Sequence, residues 1–288
     1  MKKIILSVLI PLYNNRRGIR KILNGLNTID PIYSELIEII ISEDSEESVL
    51  LKKEIINLKR KFKYFEYIDN KPKLGFARNW NKLISKSNGN YFWLLHHDEY
   101  WLPSKDLINN IIKNLSYKKD LYILPIKKIN VKNIKNYKII LSQEHLPNKY
   151  LIKAFINNPI NFINTNIIGP PSSLIVSKKY KQKYNEKLLF LIDVDYYIRL
   201  LKIINKKSIY IFNYKKAFIF SSQNNNQSIT KLLGIKKNTI RHNEKITLMN
   251  KYSFKINLIT FIKDKIYYFL YKINTALNTR ITILKNIE

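Results

Sequence analysis

The residues best suited to chemistry in this chain are acids and histidines gathered in short runs. His96-His97-Asp98-Glu99 sets two imidazoles beside two carboxylates. Both groups are ligands for divalent cations, and four of them together suit a cation better than a turn. Ser42-Glu43-Asp44-Ser45 carries a pair of adjacent acids. Ile192-Asp193-Val194-Asp195 places two acids at the head of an apolar stretch with helical spacing. A carboxylate there can serve as a general base or stand solvated on a helix. Asp195 and Arg199 are also four apart, which an ordinary helix-face ion pair explains. Asp and Asn favour turns and helix N-termini wherever strands end. That accounts for any one run by itself, and least well for residues 96–99. Tyr100 and Trp101 follow that run and could form an aromatic stacking wall, whereas Trp93 reads as core. His145 and His242 have no evident partner.

These runs need elements to hold them, and the first hundred residues alternate between two periods. IILSVLIP, ELIEIIIS, KYFEYI and YFWLLHH read as strands. RRGIRKILNGLNTI, ESVLLKKEIINLKRKF and GFARNWNKLISKS read as the helices between them. Alternation of this kind means βαβ units and a mostly parallel sheet with helices on both faces. The opening apolar run could otherwise be a signal peptide, but no small-residue cleavage site follows it. Removing it would also remove a central strand. Ligands of open parallel sheets bind outside the carboxyl ends of the strands. Those ends are Pro11 to Asn14, Ser42 to Ser45, Asp69-Asn70 and residues 96–99, so acids gather at three of the four. Beyond residue 103 the rhythm loosens. A helix in DLINNIIKNLSYK, a strand in DLYILPIKKI and a polar stretch to about residue 150 precede a loop and strand in IIGPPSSLIVSKK. FLIDVDYYIRLLKII is a helix, and SIYIFNYKKAFIF is one or two strands.

Composition narrows the classes. A net charge of +30 attracts polyanions. The lysines are scattered, however, and no RNA-binding pattern of aromatics and glycines accompanies them, so nucleic acid is not the expected partner. With no cysteine, no disulfide framework argues for secretion. There is no G-x-G-x-x-G after the first strand and no Walker A sequence, which weakens the common dinucleotide and P-loop readings; a nucleotide could still be held by carboxylates, with a metal ion on the phosphates in place of a glycine cradle.

SVLIPLYNN, IEIIISEDSEES, GFARNWN followed by SNGNYFWLLHHDEYWLP, IIGPPSSLIV and IDVDYYIRLL occur in an order that resembles a family 2 glycosyltransferase of the GT-A fold, the type that builds bacterial surface polysaccharides. The resemblance covers residues 4–103, then islands at 168–176 and 188–201. It implies an inverting transfer from a nucleoside-diphosphate sugar to a hydroxyl of a saccharide or lipid-linked saccharide, with Mg²⁺ or Mn²⁺. On this likeness Pro11 and Tyr13 wrap the base, Glu43 and Asp44 hold base and ribose, and Arg78 and Asn79 lie beside the donor. Residues 96–99 stand in the place of the D-x-D-type metal motif, with His96 where the first acid belongs and Asp98 keeping the second. Asp193 falls at the catalytic base. Trp101, Pro171, Ser172 and Asp195 fall on the acceptor side. The departure at His96 leaves a catalytically inactive, saccharide- or partner-binding relative as the alternative.

The expected organisation is a GT-A unit over residues 1–220 and a C-terminal amphipathic helical extension over 221–288. Leu258, Ile259, Ile262, Ile266, Phe269, Leu270 and Ile273 share one helical face there, among lysines. Such a helix can lie on an anionic membrane surface or pack on the core. The family context implies a cytoplasmic enzyme working at the inner face of the membrane.

Overall fold

Residues Leu6–Leu12 form the first strand, β1, and every one of them is buried. That is the pattern of a strand covered on both faces, as central strands of parallel sheets are. The computed structural model describes residues 4–101, 107–134, 137–145, 149–212, 219–222, 236–252, 266, 269, 273 and 279–285. After β1 come α1 (Arg16–Asn27), α2 (Pro31–Ser34), β2 (Ile37–Glu43), α3 (Lys52–Lys61), β3 (Tyr64–Asp69), α4 (Phe76–Lys86), β4 (Tyr91–Leu94) and β5 (Glu99–Tyr100). Then follow α5 (Leu107–Leu115), β6 (Leu121–Ile123), β7 (Ile126–Ile134), β8 (Tyr137–His145), α6 (Lys149–Asn157) and β9 (Leu174–Ser177). The last are α7 (Ile192–Ile203), β10 (Ile209–Ile211), β11 (Ile219–Ser222), α8 (Lys236–Lys251) and β12 (Thr279–Lys285).

Seven described strands make the main sheet in the order β10-β6-β9-β4-β1-β2-β3. β4, β1, β2 and β3 run parallel, and β9 runs antiparallel between β4 and β6. Alternate residues of β1 feed two cores. Val8, Ile10 and Leu12 face α1, α3 and α5, while Leu9 faces α4, α6, α7 and Leu248 of α8. α1 is capped by the Asn15 side chain, which accepts from the Gly18 N–H at 2.8 Å. Its two glycines let it press on the end of β4. A Cβ at Gly18 would collide with the carbonyl oxygen of His97, and one at Gly25 would collide with the Trp101 ring.

A second sheet, in the order β12-β8-β7-β11-β5, was not anticipated. The polar stretch before residue 150 is in fact the hairpin of β7 and β8. Its Lys and Asn content, poor in strand propensity, hides the strands from local reading. SIYIFNYKKAFIF yields two strands, and they belong to different sheets. Past residue 220 the chain holds α8 and a strand, β12, as well as helical positions at 266, 269 and 273. Most of the tail expected to be a helix, residues 253–278, lies outside the described residues.

Candidate active site

β2 and β3 lie on one side of β1 and β4 on the other, so the strand order reverses at the boundary between β1 and β4. A crevice opens at such a switch point, outside the carboxyl ends of the strands. The ring Nδ1 of His97 hydrogen-bonds the Pro11 carbonyl at 3.0 Å and ties the two strand ends together. Tyr13, just past β1, is 36% exposed and presents its ring at this edge. The next residue, Asn14, has φ of 42° and donates its N–H to Ser45 Oγ at 2.9 Å.

His96, Asp98 and Glu99 each offer a ligand atom, and the three atoms lie within 4.8 Å of one another. His96 Nδ1 is 3.9 Å from Glu99 Oε2. The His96 ring stacks on Trp80, centroids 4.6 Å apart. Its Nε2 is buried and makes no hydrogen bond. Burial lowers the His96 pKa to about 4, against the smaller opposing pull of Asp98. The imidazole is therefore neutral at pH 7, the form that ligates metal. A buried ring nitrogen without a partner beside two carboxylates fits a divalent cation. Glu99 is held by strand pairing between β5 and β11, a contact from far along the chain.

Asp193 stands in the first turn of α7. The Asn166 amide donates to its Oδ2 at 2.8 Å, and the Val194 N–H donates to its Oδ1 at 2.8 Å. Asn166 is itself fixed, because its Oδ1 accepts from the N–H groups of Ile168 and Gly169. Desolvation raises the Asp193 pKa to about 6, against the hydrogen bonds and the Arg241 charge, which lower it. A carboxylate so placed is ionised at neutral pH yet a better proton acceptor than a free one. A column of rings links the two clusters. Trp80 meets Tyr184 edge-on at 5.2 Å, and Tyr184 stacks on Tyr196 of α7 at 4.2 Å. Tyr197 feels both ends: burial raises its pKa well above the usual range, and the charges of Asp193, Tyr184 and Glu99 act the same way.

A family model, Glycosyl transferase family 2, matches residues 7–179. The chain belongs to this family. Its fold is GT-A, in agreement with solved structures. The structure of S. aureus TarS matches with a TM-score of 0.56 and 13% identity, over 88% of this chain and 46% of that one. S. aureus TarS 1-349 in complex with UDP-GlcNAc matches at 0.58 and 13% identity, over 87% and 73%. The complex with UDP matches at 0.55 and 14% identity, over 88% and 76%. The present chain thus spans less than half of the longest of these. No curated protein matches the sequence significantly. α7, with Asp193, and α8 both lie past the residues that the family model matches.

Within this family 2 frame, several residues expected to touch ligand have hydrogen-bond partners inside the protein. Glu43 is fully buried, and its carboxylate accepts from the Val49 N–H, Tyr67 and Ser48. Asp44 accepts from the N–H groups of Leu74 and Gly75, both at 2.8 Å, and so shapes the entry to α4. Asn79 is buried between the Ser42 carbonyl and Asn70. Arg78 is exposed and pairs with Glu186 at 3.2 Å. Trp101 is corrected from sugar wall to core: at 1% exposure, against Gly25 and Trp93, its ring shows no face to a ligand. Asp195 is corrected from acceptor contact to a buried hub. Arg199 donates to its Oδ2 at 2.8 Å, and Lys251 and Tyr252 donate to its Oδ1 at 2.7 Å. Pro171 and Ser172 are buried in a 3-10 turn, where the Ser172 carbonyl accepts from Trp93 and its hydroxyl makes no hydrogen bond. Sequence reasoning missed Asn166 and Glu244, because neither sits in a motif and both act across long stretches of chain.

Proposed function

We propose that this chain transfers a sugar from a nucleoside-diphosphate sugar to a hydroxyl of a saccharide acceptor, lipid-linked in cell-surface polysaccharide synthesis, with inversion at the anomeric carbon. The observation that carries the reading is Asp193: a carboxylate of raised pKa, oriented by Asn166, at the far end of a ring column from the 96–99 cluster. The acceptor oxygen bonds to the anomeric carbon as the bond to the leaving diphosphate breaks. The hydroxyl proton passes to Asp193. One base opposite the leaving group needs no covalent intermediate, which is the reason for inversion. Tyr13 is exposed where a nucleotide base can lie on it, with Asp44 and Arg78 beside the donor. His96, Asp98 and Glu99 are the residues to hold Mg²⁺ or Mn²⁺, and such an ion supplies neutralisation of charge on the diphosphate.

UDP is the first nucleotide to test, since the TarS complexes contain UDP-GlcNAc and UDP. Thermal unfolding with UDP, GDP, CMP and dTDP, each with and without Mn²⁺, should show stabilisation by one of them. A ligand at a hundred times its Kd adds about 2.7 kcal/mol. No stabilisation by any nucleotide would turn the reading toward a binding protein that retains only the fold.

A peripheral membrane contact belongs to the same reading. No described helix is long and apolar enough to cross a membrane. Ile266, Phe269 and Ile273, at helical spacing, are 52%, 62% and 40% exposed. An apolar face in so basic a chain suits the surface of an anionic bilayer. The protein should float with vesicles containing phosphatidylglycerol and stay behind with neutral ones. Equal behaviour with both would remove the membrane from the proposal.

A further inference from the structure

α7 begins without a cap of its own. Its N-cap residue is Leu191, whose side chain makes no capping hydrogen bond. An apolar residue there leaves the first N–H groups of a helix unsatisfied. Within the helix the Val194 N–H is taken by the Asp193 carboxylate, and α8 supplies the acceptor for the three residues that lead into the helix. The carboxylate of Glu244 takes the N–H groups of Leu189, Phe190 and Leu191 at 2.6, 3.0 and 2.9 Å. Glu244 is buried, and Leu248 one turn later is buried beside it in the same core as α7. At its other end α8 is fastened to α7 again, by Lys251 and by the adjoining Tyr252 on Asp195. The turn that carries Asp193 is thus clamped on both sides by a helix outside the family-model match.

We propose that Glu244 is the positioning residue for Asp193: it fixes residues 189–191, the entry to α7, and so sets where the Asp193 carboxylate points. This rests on the reading of Asp193 as the base. Stability alone does not require such a device, since a Ser or Asp at position 191 would cap α7 locally. A cap drawn from α8 instead makes the placement of the carboxylate depend on α8 being docked. Glu244 also brings a carboxylate to the start of α7, opposite in sign to the partial positive charge of a helix N-terminus. The other polar groups facing Asp193 are Arg241 of α8, Asn166, Tyr184 and Tyr197.

The test uses the full-length protein with Glu244→Gln and Glu244→Asp beside Asp193→Asn. Turnover is read as nucleoside diphosphate released from UDP-GlcNAc, or from the donor that the nucleotide panel selects. The carboxyl ¹³C signal of Asp193 is titrated in parallel and needs no substrate. Glu244→Gln should lower kcat by tenfold to about 10²-fold, the scale of a misplaced catalytic group. The donor KM should hold, because the donor elements are elsewhere. The acid limb of kcat and the Asp193 titration should both move below the native value of about 6, since a negative charge has been lost. Glu244→Asp keeps the charge on a shorter arm. It should recover the titration but only part of kcat, and it serves if the Gln variant does not fold. Wild-type kcat and titration in a folded Glu244 variant that is merely less stable would overturn the proposal. Full activity in Asp193→Asn would remove the base assignment, and this proposal with it.

Discussion

Asp193→Asn lowers kcat by about 10²- to 10⁴-fold, the usual contribution of a positioned general base, and leaves the fold intact. Asparagine matches aspartate in size, and its single carbonyl oxygen keeps one of the two hydrogen bonds that the carboxylate accepts from Asn166 and Val194, so the fold is retained at some cost in stability. What it cannot do is take the acceptor proton. Nucleotide binding should be unchanged, because Asp193 lies on α7 and the strand ends proposed as the donor side lie on β1, β2 and β4. On the proposed reading the base works only when ionised. Its pKa is raised by desolvation to about 6, so kcat should be level above pH 7 and fall tenfold per unit well below pH 6. A free aspartate would hold activity down to about pH 4. Steady-state kinetics from pH 5 to 8 separate the two. A level profile through pH 5, or full kcat in Asp193→Asn, would sink the role assigned to this carboxylate.

The second large effect is expected at the 96–99 cluster. Asp98→Asn should weaken Mn²⁺ binding by more than the 10- to 100-fold typical of losing an outer-shell partner, because a neutral amide oxygen replaces an anionic ligand. Activity should fall with it and return only in part at high Mn²⁺. His96→Asp probes the departure from the usual acid. Imidazole suits transition metals, and Mg²⁺ prefers oxygen donors. The native site, with one ring nitrogen and two carboxylates, should therefore prefer Mn²⁺, and the His96→Asp variant should shift toward Mg²⁺. Electron paramagnetic resonance of free Mn²⁺ measures the binding directly. Binding that is equal in native protein and in Asp98→Asn would dismiss these residues as a metal site.

Much of the first hundred residues could be read locally. A continuous apolar run in IILSVLIP and a period near 3.6 in RRGIRKILNGLNTI follow from which faces each element must bury. Once the parallel sheet is inferred, the carboxyl ends of its strands follow, and with them the regions where ligand chemistry gathers. Lys- and Asn-rich strands such as β7 and β8 escape this reading, since pairing with a neighbour overrides weak propensity. The roles of single residues escape it more often. Nothing in the letters of Trp101 separates a sugar platform from a ring pressed on Gly25, and nothing in Asp195 separates a surface pair from a buried hub.

The sequence by itself determined the alternation of strands and helices, the carboxyl ends of the strands, and the runs at 42–45, 96–99 and 192–195, because each depends on neighbours a few residues away. The tertiary structure alone decided which of those side chains are exposed and which are consumed as braces. It also brought Glu99 into pairing with β11, Asn166 onto Asp193, and Glu244 under the start of α7. Those contacts join segments far apart in the chain. They arise from the register of two sheets and the packing of α8 on α7, which no local period encodes.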